Sequence, residues 1–172
     1  MLKNIIAIFT SQDKTKSGTL MSRMAQNQEI GLGSDTYSLG INQFEGNLTD
    51  IIELVREKNV PIIISTLASN IKDQIPFVSK KDNEQEDART IYKYAQNEYQ
   101  NLNFKKADSL FRLAKDLDQL RFRAPDEING LIKNLGNKFN IPIVNADSIL
   151  SHNSTNGIIG KNLMTILGNH RW

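Results

Sequence analysis

The chain has no cysteine among its 172 residues, and only two histidines, four prolines and one tryptophan. Without cysteine there is no disulfide, no thiolate metal site and no cysteine nucleophile. Two histidines and scattered carboxylates without ligand spacing give no metal site, and no cofactor is implied. Charge of one sign is also missing. Lys and Arg number 21 against 19 Asp and Glu, a net charge of +2, which provides no basic field of the kind that concentrates DNA or RNA, so nucleic acid is not an expected partner. Long hydrophobic runs are absent too. The opening MLKNIIAIFTSQDK turns polar after Phe9, too soon to span a bilayer and without a small-residue cleavage site, so neither an anchor nor an export signal is read.

What is present suits one domain of ordinary size, with 39% apolar and 23% charged residues. Over 42–58, Phe44, Leu48, Ile51, Ile52 and Val55 line one face of a helix. Pro61 then heads the run Ile62, Ile63, Ile64, whose uniformly β-branched character predicts a parallel strand over 61–66 covered on both faces. The unit repeats: Ile128, Leu131, Ile132, Leu135 and Phe139 form a helical stripe, and Asn140-Ile141-Pro142-Ile143-Val144 follows as Asn59-Val60-Pro61-Ile62-Ile63 did. Two helix-then-strand units predict an α/β sheet in which 61–66 and 141–145 run parallel.

Between the units lies an antiparallel helical hairpin. Ala88, Ile91, Tyr92, Ala95, Tyr99 and Leu102 describe one amphipathic helix and Phe104, Ala107, Phe111, Ala114 and Leu117 a second. Spacing of the small and aromatic residues follows the tetratricopeptide pattern in a single copy, which favours an insertion packed on its own domain over a peptide-binding repeat array. A charged linker over 80–87 leads into it. In the first forty residues Ile5 to Phe9 reads as strand or helix turn, and Leu20, Met21 and Met24 as a short helix before Gly31-Leu32-Gly33.

Taken together, LMSRMAQNQEI, INQFEGNLTDII, VPIIISTLASNIKDQIPF and DLDQLRFRAPDEIN running into IPIVNADSIL resemble the SGNH (GDSL-type) hydrolases, in the bacterial branch that carries a tetratricopeptide-like helical segment. The likeness runs from Leu20 to about Met164. It implies a three-layer α/β/α, flavodoxin-like domain with a parallel sheet of about five strands, represented here as a single partial domain over 1–172 with the hairpin inserted at 85–118. It also implies acyl ester hydrolysis or carbohydrate deacetylation, with an acylated small molecule or sugar as ligand. Family members use a serine nucleophile, glycine and asparagine oxyanion donors, and an Asp-x-x-His pair. This sequence contains no Gly-Asp-Ser-Leu, Gly-x-Asn-Asp or Gly-His-Asn-Glu block. Past GIIGKNL it reads MTILGNHRW, with Leu167 three positions before His170 where an acid would stand. The expectation is a catalytically incomplete portion of such a protein without serine-esterase activity. An ending altered by a change of reading frame would account for the last residues.

Candidate residues follow from position. Ser69, Asn70, Asp73 and Gln74 lie past the carboxyl end of the first strand, where parallel sheets bind ligands; the competing role for Ser69 or Asn70 is to cap the next turn. Arg121 and Arg123 suit either an anionic ligand group or a structural tie to Asp116 or Asp118, with Leu120 and Phe122 packed inward. His170 is read as a tail residue in preference to a displaced base, and 151–154 as a polar loop. The alternative function is a non-catalytic interaction module in which the hairpin docks a protein partner.

Overall fold

The computed structural model describes residues 29–80 and 86–164. Helix α1 (Asp35–Glu57) begins earlier than its apolar stripe because Gly33, at φ 74°, turns the chain and Ser34 caps the helix: its Oγ accepts from the Tyr37 N–H at 3.2 Å and donates to the Gly31 carbonyl at 2.9 Å. The end of α1 is set by Asn59 in the left-handed region at φ 53°. From there the Asn59 N–H bonds the Arg56 carbonyl and the Val60 N–H reaches the Val55 carbonyl at 3.2 Å, a Schellman closure. Helix α4 (Asp126–Phe139) ends the same way, through Asn140 at φ 53°, with the Ile141 N–H on the Gly136 carbonyl at 2.8 Å. The repeated Asn-apolar-Pro sequence is therefore a repeated stop signal. Each left-handed asparagine turns the chain from the helix end into the extended segment that leads to a strand.

Those strands, β1 (Ile64–Ser65) and β2 (Ile143–Val144), pair in parallel with Ile64 opposite Ile143 and Ser65 opposite Val144. Between them along the chain run the hairpin helices α2 (Ala88–Gln100) and α3 (Phe104–Leu117), then α4. Short helices α5 (Ala146–His152) and α6 (Lys161–Met164) follow β2, separated by a 3₁₀ turn at Thr155–Gly157. No helix among the described residues is long and apolar enough to cross a membrane.

The expected three-layer flavodoxin-like architecture is overturned. Among the described residues the fold is mostly helical, and its sheet has two strands that pair over two residues each. One face is covered: Ile52, Leu135 and Ile141 form a core on which Leu48, Ile62, Ile64 and Phe139 pack. The other face is open, with Ile63 68% and Val144 43% exposed, so these strands are not buried on both faces as their composition suggested. Pairing stops at Thr66 because side chains take over. Asn129 of α4 brackets Leu67, accepting from its N–H at 2.7 Å and donating to its carbonyl at 2.8 Å. The Thr66 hydroxyl donates to Asn145 Oδ1 and accepts from the Asp147 N–H, while α5 starts at Ala146. The expected polar loop over 151–154 is likewise partly the last turn of α5. Residues 1–28, with the strand or helix turn read at Ile5 to Phe9 and the short helix read at Leu20, Met21 and Met24, 81–85 of the charged linker, and 165–172 lie outside the described residues.

Helices α2 and α3 pack against each other, while Leu102, counted on the first stripe by its spacing, lies past the end of α2 and is exposed. Ala95, Ala107 and Ala114 are fully buried and bring α2 and α3 together, while Tyr92 meets Phe111 and Tyr99 meets Phe104 edge-on, each at 5.3 Å. These residues share a core with Ile71, Ile158 and Ile159. The Ile159 carbonyl accepts from the N–H groups of both Ile71 and Lys72 at 3.1 Å. One seam thus joins the hairpin, the loop after β1 and the segment before α6.

Gly136 tests the helix-to-strand packing. A Cβ there would lie 2.4 Å from Ile143 Cγ1, whereas at Gly130 of the same helix it would meet nothing within 4 Å. Gly130→Ala is expected to stabilise by about 0.5–1 kcal/mol through helix propensity, and Gly136→Ala to destabilise by about 1–3 kcal/mol through overpacking. Urea unfolding of the two variants measures the contrast, and equal effects would contradict this packing.

Candidate functional site

The loop after β1 is held from beneath by a buried ion pair. Asp118, 2% exposed just past α3, accepts from the N–H groups of Phe77 and Val78 at 3.0 Å and of Leu120 at 3.2 Å. Arg123 completes it: Nη2 donates to Asp118 Oδ2 at 3.2 Å, and Nη1 donates to the carbonyls of Asn70 and Gln74 at 3.2 and 3.1 Å. Burial pushes the Arg123 guanidinium below its ordinary range and the Asp118 charge opposes that push. These contacts are those of a structural tie. Arg121 is structural as well, its Nε donating to the Ile30 carbonyl at 3.0 Å, its Nη1 to the Asp116 carbonyl, and its guanidinium lying 5.1 Å from the Tyr37 ring centroid. Leu120 is buried as expected, but Phe122 is half exposed and meets Phe77 edge-on at 5.5 Å.

Within the loop, Asn70 serves the turn: its Oδ1 accepts from the Asp73 N–H at 2.9 Å. Gln74 contributes its carbonyl to Arg123. Asp73 faces outward, and its Oδ2 accepts from the Lys161 N–H at 2.8 Å, a contact permitted by Gly160, where a Cβ would lie 2.5 Å from the same oxygen. Ser69 is half-buried and has no histidine bonded to it among the described residues, since His152 is exposed at the end of α5 and His170 lies outside them. Asn70 and Gln74 thus serve the scaffold of the loop. Asp73 lines a cavity.

That cavity is a cleft of ≈ 490 Å³ between α2 and the loop. Its walls include Lys72, Asp73, Tyr92, Gln96, Tyr99 and Gln100. Three of these sit at i, i+4 and i+7 on α2, so a helical stripe read as core also forms a wall with Gln96 interleaved between two tyrosines. The Tyr92 hydroxyl donates to the Lys72 carbonyl at 2.5 Å, with burial and the nearby Asp73 charge raising its pKa. Lys72 Nζ stands 5.1 Å from the Tyr99 ring centroid, and Asn156 Nδ2 donates to the Tyr99 hydroxyl at 2.9 Å. Sequence reasoning missed α2 as a wall; the one available signal was glutamine on an otherwise apolar stripe.

A second polar assembly lies beside the ends of β1 and β2. Arg112 of α3 binds Asp108 at 2.9 Å and Asp147 at 3.1 Å, and lies 3.6 Å from Asp126; buried Lys115 binds Asp126, Asp116 and the Ala124 carbonyl. Burial raises the pKa of Asp116, with Lys115 opposing the rise. Two cations here meet four carboxylates, and no group of three or more His, Cys, Asp or Glu side chains suited to a metal occurs among the described residues. The assembly ties the hairpin to α4 and α5.

No protein-family model matches the chain, and neither a curated protein nor a solved structure matches it.

Two predictions concern how this site is held. Arg123→Met leaves the Asp118 carboxylate buried without its cation and two carbonyls without a donor, and is expected to destabilise by about 3–5 kcal/mol; chemical denaturation measures it, and a loss under about 1 kcal/mol would mean that the pair is solvated. Helix α2 depends on Asp87, which caps Arg89 and Thr90 and whose pKa is held well below the usual carboxylate range by the hydroxyls of Ser79 and Thr90. A depressed folded-state pKa stabilises above the unfolded value and is lost as pH falls through the folded one. Asp87→Ala should cost about 1 kcal/mol at neutral pH, with the gap to the parent chain narrowing below about pH 4. A gap independent of pH would rule out the carboxylate cap.

Proposed function

We propose that this chain binds a small hydroxyl-bearing ligand, an acylated sugar of the class implied by the SGNH hydrolase resemblance, in the cleft between α2 and the loop after β1. The observation that carries the reading is the lining of that cleft. The partly exposed Tyr99 ring supplies an apolar surface of the kind that packs against sugar rings, with buried Tyr92 behind it, and the exposed Gln96 and Gln100 amides, one helical turn apart, supply donors and acceptors. Lys72 and Asp73 add one charge of each sign at the opposite wall. The loop bearing them is fixed by Arg123 and by the Lys161 N–H, so its groups are ordered before a ligand arrives.

Binding is proposed without serine acyl transfer. That chemistry requires a nucleophile, a base, an orienting acid and oxyanion donors within hydrogen-bond reach, and Ser69 has no such base among the described residues. Calorimetric titration with acetylated and unacetylated oligosaccharides tests the reading, alongside a fluorophosphonate probe for activated serines. Saturable binding weakened about tenfold or more by a combined Gln96→Ala and Tyr99→Ala change, with no labelling of Ser69, is the expected result. Absence of binding by any sugar overturns the ligand reading; stoichiometric labelling at Ser69 overturns its non-catalytic part.

A further inference from the structure

Three helix ends among the described residues close with the same hydrogen bonds but not the same chemistry. After α1 and α4 the left-handed position is held by Asn59 and Asn140, residues that tolerate it. After α2 it is held by Leu102, at φ 62°. Its N–H bonds the Tyr99 carbonyl at 3.1 Å and the Asn103 N–H bonds the Glu98 carbonyl at 2.9 Å, so the backbone geometry is the Schellman closure again. Glycine or asparagine would make that turn without the strain a leucine incurs there. Leu102 gains no packing in return, being 72% exposed, more than any other large apolar side chain among the described residues. The turn therefore explains the backbone and leaves the side chain unexplained.

The surroundings of Leu102 give that side chain a use. It opens onto a shallow, largely open depression at the hairpin tip, lined also by Phe104, Leu110, Lys105, Lys106 and Ser109. Phe104 is fixed by its edge-on contact with Tyr99, so the floor is rigid. Lys106 pairs with Glu98 at 2.6 Å, while Lys105 is exposed with no acidic partner among the described residues, which leaves the rim with an excess of positive charge. We propose that the hairpin tip is a docking surface for an acidic segment of a partner protein, one apolar side chain of which enters between Leu102, Phe104 and Leu110 while a carboxylate meets Lys105. The sign of the rim selects an acidic partner, and the single apolar depression selects one anchor residue. None of these residues lines the cleft assigned to a sugar, and the variants that test the tip leave Tyr99 in place.

The test uses fluorescein-labelled peptides of about ten residues, rich in Glu with one central Leu, together with versions carrying Lys for Glu or Ala for Leu. Anisotropy is read against the whole chain. Saturable binding of the acidic Leu peptide alone is expected, with Kd rising about tenfold or more in Leu102→Gly and in Lys105→Glu. Leu102→Gly relieves the left-handed strain, so its unfolding temperature should be unchanged or higher, which separates lost binding from lost folding. The proposal is overturned if no acidic peptide binds, if the Lys or Ala versions bind equally well, or if Leu102→Gly binds as the parent does. It is also overturned if sedimentation shows a dimer abolished by Leu102→Gly, since the occupant would then be a second copy of this chain.

Discussion

A single buried carboxylate organises the middle of this molecule. Asp118 stands where α3 ends and gathers three backbone N–H groups and one guanidinium. Two of those amides belong to Phe77 and Val78, and the guanidinium carries the carbonyls of Asn70 and Gln74. A loop of irregular backbone is thereby satisfied by one acid and one base instead of by a sheet ladder. Isolated in a low-dielectric interior either charge would be costly, and together with their hydrogen bonds they are mutually compensated. The cleft, the position of Asp73 and the approach of α2 all depend on that loop being held.

The same economy governs the strands. Each is released by a left-handed asparagine at a helix end and lies against Gly136, where there is no room for a methyl group beside Ile143. Each is then ended after two paired residues by side chains, Asn129 on one and the Thr66 to Asn145 contact on the other. The sheet is a junction between helices more than a layer. Its open face, with Ile63 and Val144 exposed, contrasts with the sealed seam formed by Ile71, Ile158 and Ile159 against the hairpin.

The structure gives the chain two distinct faces of interest along one hairpin. One side of α2 forms a wall of the cleft with Tyr92, Gln96 and Tyr99. The tip presents Leu102 and its lysines. Both depend on the alanines that let α2 and α3 approach, because a bulkier residue at Ala95, Ala107 or Ala114 would separate the helices and displace Tyr99 from Phe104.

The hairpin was legible in the sequence because a 3.6-residue stripe with alanines at the contact positions has one low-energy way to pair, and the parallel pairing of 64–65 with 143–144 was legible because two matching helix-to-strand units constrain direction. The extent of the sheet was not. A run such as Ile62, Ile63, Ile64 records that residues prefer burial and extension, but how many of them pair depends on what lies alongside, and here Asn129 and Thr66 intervene. Arginine spacing likewise left the role of Arg123 open between ligand and scaffold; only the fold brings Asn70, Gln74 and Asp118 around it. The sequence by itself determined local periodicity, helix stops and partner helices, since those rest on neighbours along the chain. Tertiary structure decided how far the strands pair, which polar groups are spent on scaffolding and which face a cleft, since those depend on contacts between segments tens of residues apart.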